Sequence, residues 1–190
     1  MNQLAVFVEE RSMTVLIQAL LEAHQMSHVK VITHEGKSDL EKSFPRKIGA
    51  WLAPDTRFVV ARDQDHATDC TELKAELTAK IPASAQQKTK VRIVCRELEA
   101  WYLGDFPALA KTGYISLREA KRLGARALYR DPDAVINPKQ ELKKIVKPYS
   151  PLDFARRVGP NMIIDQNRSR SFRHFTQALG IVRSPSSLGT

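Results

Sequence analysis

The chain has 190 residues, 43% of them hydrophobic, and a formal net charge of +9 at pH 7. That length suits one domain, or one domain with a helical appendage, and that composition excludes wholesale disorder. No apolar run reaches the roughly 18 to 20 residues that span a bilayer, and no basic region leads into an apolar block and cleavage site. No membrane partner is therefore expected, and the protein is placed in the cytoplasm.

Cys70 and Cys95 stand far apart without a second pair, and the five histidines lack metal-ligand spacing, so neither a disulfide framework nor a zinc knuckle is supported. The charge is uneven. Residues 1–110 carry 14 Lys and Arg against 15 Asp and Glu, whereas residues 111–190 carry 16 against 6. A basic part joined to a part with converging acids suits a polyanion held by one and acted on by the other; a tail made basic for solubility has the same composition.

Leu4-Ala5-Val6-Phe7-Val8 reads as a buried strand that ends in Glu9-Glu10. Ser12 is placed to cap a helix whose stripe is Val15, Leu16, Ala19, Leu20 and Ala23. Val29-Lys30-Val31-Ile32 gives a second strand, and Ser38 with Glu41 forms a capping box for a helix to about Trp51. The third strand, Arg57 to Ala61, leads into Asp63-Gln64-Asp65. On an extended backbone the side chains of Asp63 and Asp65 project to one side. Two carboxylates that close repel each other, so a divalent cation explains them; a solvated acidic turn opening the next helix explains them equally well.

Asp69 and Glu72 again have capping-box spacing, for a helix ending before Pro82, and residues 83–90 read as polar linker. Val91 to Cys95 is the fourth strand and runs into Glu97-Leu98-Glu99. Strands alternating with helices predict a doubly wound, mainly parallel four-stranded α/β sheet over residues 1–105, with the acid-tipped strand ends on one edge. There Glu9, Asp63, Asp65 and one of Glu97 or Glu99 would converge. Two residues apart is about 200° around a helix, so Glu97 and Glu99 do not both face a metal from helical backbone. From residue 106 the strand signals stop. Ser116 with Glu119, Asp131-Pro132, Asn137-Pro138 and Ser150-Pro151 are successive helix starts, and a last helix runs from about Ser169 to Leu179. Residues 106–190 are thus expected to form a basic helical region packed on the sheet domain, with a frayed tail after Arg183.

With the acids so placed, the chain resembles the Toprim fold of topoisomerases, primases and overcoming-lysogenization-defect nucleases. Glu9 stands where that family has a Glu after the first strand, and Asp63 with Asp65 where it has Asp-x-Asp after the third. More closely the chain resembles the Toprim-like family called domain of unknown function 4276. The matching stretches are Val8 to Met13, Gly36 to Leu40, Asp63-Gln64-Asp65 with Asp69-Cys70, Glu97 to Trp101 with Gly104-Asp105, and Asn167 to Phe172. The resemblance implies a Mg²⁺ or Mn²⁺ site, a nucleic-acid substrate, and a phage-defence nuclease working with a co-encoded ATPase. Glu10 stands where many such nucleases have Gly, and Met13 where two-metal members have a second acid, so a second metal would draw on Glu10, Asp69, Glu97 or Glu99.

The expected roles follow. Asp63 and Asp65 hold the metal, and Glu9 is general base or metal bridge, its alternative being a carboxylate stabilised at a helix N-terminus. Glu97 is a further catalytic candidate, and Asp69 and Glu99 are further candidate metal ligands. Lys37 steadies phosphate or transition-state charge, although Gly36-Lys37-Ser38 lacks the upstream glycine of a nucleotide-binding loop. Arg168, Arg170 and Arg173 are the candidates for a nucleic-acid backbone, with Phe172, Phe175 and Trp101 in the core. His66 reads as a solvated loop histidine. The rival to a nuclease is a catalytically silent Toprim-like module that binds a partner and uses the acids structurally.

Overall fold

The computed structural model describes residues 3–181, so the expectation for the tail after Arg183 lies outside the described residues. Strands β1 (Leu4–Val8), β2 (Val29–Thr33), β3 (Arg57–Asp63) and β4 (Thr89–Val94) form one all-parallel sheet in the order β2-β1-β3-β4. Between them run helices α1 (Arg11–Ala23), α2 (Lys37–Gly49) and α3 (Cys70–Ala79). Alternate residues of a strand face opposite sides of a sheet, and here both sides are covered. Leu4, Val6, Val8, Val59 and Ala61 pack with Leu16, Ile17 and Leu20 of α1. Ala5, Phe7, Phe58 and Val60 pack with Leu40 and Phe44 of α2 and Leu73 and Leu77 of α3. The unbroken apolar runs of β1 and β3 are the consequence of that two-sided burial.

The chain leaves β1 for α1 on one face and β3 for α3 on the other. A sheet wound this way opens a crevice where the winding reverses, at the carboxyl ends of β1 and β3. Glu9 follows β1 and Asp63 ends β3.

Helices α4 (Glu99–Leu103), α5 (Phe106–Lys111), α6 (Leu117–Gly124), α7 (Pro138–Ile145), α8 (Pro151–Val158) and α9 (Arg170–Leu179) share a core with α1. α8 packs on α1 and α9 on β4. Trp101 is fully buried against Phe172 and Phe175, with centroids 5.3 and 5.0 Å away, and its indole N–H donates to Ser171 Oγ at 2.9 Å. Asn167, also fully buried, donates to the Trp101 carbonyl and accepts from the Ser169 N–H. The Asn167–Phe172 stretch therefore serves to dock α9 on α4.

Asp69 and Ser116 cap α3 and α6 through their side chains, as their spacing predicts, and Ser169 caps α9 in the same way. Two other starts lie two residues earlier than expected. α1 begins at Arg11 with Glu10 as its cap residue, because the Ser12 hydroxyl turns back to donate to the Glu10 carboxylate. α2 begins at Lys37, behind Gly36 at φ +92°, a conformation that a side chain at this position would oppose. Asp131-Pro132 opens only a 3₁₀ turn, Pro132–Ala134, and the expected linker contains another, Ala83–Lys88.

Candidate metal and active site

The register that pairs Val8 with Ala61 brings Glu9 beside the end of β3, and the Asp63 N–H donates to Glu9 Oε2 at 3.3 Å. Asp63 is only 8% exposed, and its Oδ1 has no hydrogen-bond partner among the described residues. Burial, above all, pushes the Asp63 carboxyl well above the usual carboxylate range, and the negative charges of Glu9, Glu10, Glu99 and Asp65 push the same way. Glu9 is raised too, first by burial and then by Asp65, with Arg62 opposing. Glu9 is therefore the shared neighbour of both aspartates.

The dyad does not stay extended, which corrects the expectation that both aspartates project alike. Asp65 adopts left-handed backbone at φ +51°, and its N–H donates to the Arg96 carbonyl at 2.8 Å. Aspartate tolerates this conformation better than most residues. The turn sets Asp65 Oδ2 at 3.6 Å from Lys37 Nζ and 4.0 Å from Arg62, whereas the carboxylates acting on Asp63 are foremost Glu9, Glu10 and Glu99. Arg62 is itself anchored: Nε donates to Glu41 Oε1 at 3.0 Å, and Lys80 binds the other Glu41 oxygen at 2.7 Å. Sequence reasoning passed over Arg62, although a buried basic residue at the end of an apolar strand is a visible signal.

Glu97 and Glu99 take different roles. Glu97 accepts from the Lys139 N–H at 3.1 Å, in the first turn of α7, where the cap residue Asn137 offers no side-chain bond. Glu99 is 4% exposed, accepts from the Tyr149 hydroxyl at 2.8 Å and lies 3.9 Å from Lys139 Nζ. Its carboxyl is raised by burial, against the lowering effect of Tyr149 and Lys139. The Tyr102 hydroxyl, buried with Glu99 and Asp63 as charged neighbours, has no hydrogen-bond partner among the described residues. Tyr102, Lys139 and Tyr149 escaped sequence reasoning because nothing local in the sequence connects them to Glu99.

The remaining candidates are placed elsewhere. The exposed Asp69 carboxylate accepts from the Thr71 and Glu72 N–H groups at 2.5 and 3.3 Å, which lowers its pKa and commits it to α3. Arg168 donates to the Gly124 carbonyl at 2.6 Å and Arg173 to the Asn167 carbonyl at 2.7 Å. Arg170 is exposed, 3.7 Å from Asp131, and His66 is exposed in the loop after the dyad.

Among the described residues, no three His, Cys, Asp or Glu side chains are gathered closely enough to hold an ion by themselves. The donor type nevertheless fits Mg²⁺ or Mn²⁺: hard carboxylate oxygens, one of them buried and unpartnered. Mg²⁺ keeps several waters and is commonly bound through one or two carboxylates, and Asp63 with Glu9 matches that demand.

An all-parallel, doubly wound sheet with Glu9 and Asp63 at its switch point and helices after β4 defines a Toprim-like α/β fold. The C-terminal region of the Burkholderia pseudomallei OLD protein is similar to it, with a TM-score of 0.57 at 16% identity over 98% of each chain. The chain belongs to the family described as Domain of unknown function (DUF4276), which it matches over residues 8–180. No curated protein matches it. Among the described residues no helix is long and apolar enough to cross a membrane.

Proposed function

We propose that the protein is a Mg²⁺- or Mn²⁺-dependent hydrolase of nucleic-acid phosphodiesters, of the Toprim nuclease type, acting in phage defence with a partner ATPase. Asp63 carries this reading. A buried carboxylate oxygen without a partner, surrounded by Glu9, Glu10 and Glu99, is a place short of positive charge. The phage-defence and ATPase parts rest on analogy with the OLD protein, whose C-terminal region shares the fold.

In this reading Asp63 and Glu9 hold the ion, with Glu99 behind Asp63 fixed by Tyr149. When bound, the ion would neutralise phosphodiester charge and acidify a water. Glu9, which accepts from the Asp63 N–H through Oε2, is placed to take the proton of the attacking water on its other carboxylate oxygen. Lys37, half-exposed at the start of α2, exchanges its contact with Asp65 for the phosphate undergoing attack.

A second reading, the silent binding module, is favoured by Lys37 itself. Its ammonium and Arg62 already offset Asp65, so internal cations could take the place of a metal. Titration calorimetry with Mn²⁺ separates the two. Binding to the wild type that is lost in Asp63→Asn, with Mn²⁺-dependent cleavage of duplex DNA, single strands or transfer RNA, supports the hydrolase. A wild type that binds no Mn²⁺ supports the silent module.

A further inference from the structure

Beside the dyad a groove of about 440 Å³ opens between the first turns of α3, the end of β4 and the start of α9. Gln64, the residue between the two aspartates, lines it, together with Lys74, Arg92, Arg96, Arg170 and His174. Glu9, Asp63 and Asp65 do not line it, so the groove adjoins the acidic site through Gln64. Among the described residues, the side chains of Lys74 and Arg96 have no hydrogen-bond or ion-pair partner. Arg92 donates to the carbonyls of His174 and Val91 at 3.0 and 3.1 Å, which fixes its guanidinium in the wall.

Two acids also line the groove, against the four cations Lys74, Arg92, Arg96 and Arg170, so its lining stays net positive. Asp133 is engaged by the Ser169 and Ser171 hydroxyls and the Ser171 N–H. Asp131 pairs with Arg170 at 3.7 Å with both side chains largely exposed, a contact weak enough to yield to another anion.

Arg96 adds an independent observation. It sits at φ +65°, in a left-handed conformation that arginine gains nothing from locally. Its N–H donates to Gln64 Oε1 at 3.4 Å and its carbonyl accepts from the Asp65 N–H at 2.8 Å. The fold thus holds an unfavourable backbone and leaves the attached guanidinium unpaired beside the site, as strained functional positions do.

We propose that this groove carries the phosphodiester backbone of a nucleic-acid strand to Asp63 and Glu9, gripped by Lys74, Arg96, Arg170 and His174. This assignment rests on the hydrolase reading above for its substrate class. Among the described residues no Phe, Tyr or Trp lines the groove, so bases have no stacking platform and the grip is indifferent to sequence. It also moves the nucleic-acid contact off Arg168 and Arg173, whose guanidinium groups serve backbone carbonyls.

The test measures binding of a fluorescent DNA duplex by the full chain in EDTA over a range of salt concentrations, so that neither metal nor cleavage enters. Lys74→Gln with Arg96→Asn should lower affinity roughly tenfold and flatten the log–log salt slope by about 0.9 for each phosphate no longer neutralised. Asparagine accepts left-handed backbone, and Lys74→Gln alone, on an exposed helix face, gives a smaller change in the same direction without touching the loop. Arg168→Ala should leave the slope unchanged. An unchanged slope in the double variant, beside a wild type that binds with steep salt dependence, overturns the groove and leaves the hydrolase reading standing. Binding that depends on the groove without cleavage under any Mn²⁺ condition retains the groove and removes the hydrolase. A wild type that binds no nucleic acid overturns both.

Discussion

The Asp65 N–H donates to the Arg96 carbonyl at 2.8 Å, and both residues are left-handed, at φ +51° and +65°. With the Gln64 N–H, which donates to the Val94 carbonyl at 2.8 Å, this bond ties the end of β3 to the end of β4, and it turns the second aspartate away from the first. It directs Asp65 to Lys37 and leaves Asp63 with Glu9.

The conformation of Asp65 can be separated from its charge. Asp65→Gly has no Cβ and Asp65→Asn offsets the Cβ clash with a short polar side chain that bonds locally, whereas Asp65→Ala bears that clash, about 1–2 kcal/mol, with neither relief. Urea melts in metal-free buffer should rank Asn and Gly above Ala. Equal stability of Ala and Gly would mean that the turn is not maintained in solution.

Asp63 should make stability depend on pH. Burial and neighbouring carboxylates raise its folded pKa, so the folded state holds a proton more tightly than the unfolded chain does. Its contribution is fully present below the ordinary carboxylate pKa and is lost as pH rises through the raised value. Asp63→Asn should therefore melt higher than the wild type at neutral pH without divalent ions, by on the order of 1 kcal/mol, with the gap closing toward pH 4. Adding Mg²⁺ should stabilise the wild type and not the variant. A gap that widens in acid would reverse the assigned sign.

Glu9→Gln keeps the shape of the side chain and an oxygen able to accept from the Asp63 N–H. It should retain the fold and most nucleic-acid affinity while losing roughly 10²–10⁴-fold in cleavage rate, the range of a general base. Single-turnover cleavage with Mn²⁺ checks this. Full activity in the variant would remove Glu9 from the chemistry.

Gly104→Ala tests the docking of α9. A Cβ there would collide with the Asn167 side chain and stand 3.0 Å from the Ser169 nitrogen, in the segment that carries the caps of α9. Destabilisation of about 1–3 kcal/mol is expected, as for other overpacked sites, read as a drop in the thermal midpoint. Wild-type stability would mean that this contact relaxes freely.

Much of this arrangement was legible in the chain alone. Continuous apolar runs such as Leu4–Val8 and Phe58–Ala61 declare strands covered on both faces, and their alternation with capped helices implies the parallel winding. That winding in turn puts Glu9 and Asp63 at one edge, because every strand of a parallel sheet ends on the same side. Local rules placed the caps Asp69 and Ser116 because each bond spans only two or three residues.

What the tertiary structure decided depends on residues far apart in sequence. The turn at Asp65 needs the carbonyl of Arg96, and the division of labour between Glu97 and Glu99 needs α7 and Tyr149. The arginines followed the same logic. Arg168 and Arg173 look like a basic patch when read along the chain, yet packing brings each to a backbone carbonyl that needs a donor. Packing likewise leaves the side chains of Arg96 and Lys74 lining the groove without partners among the described residues. A sequence records how many charges a segment carries; only the fold determines which of them are already paired.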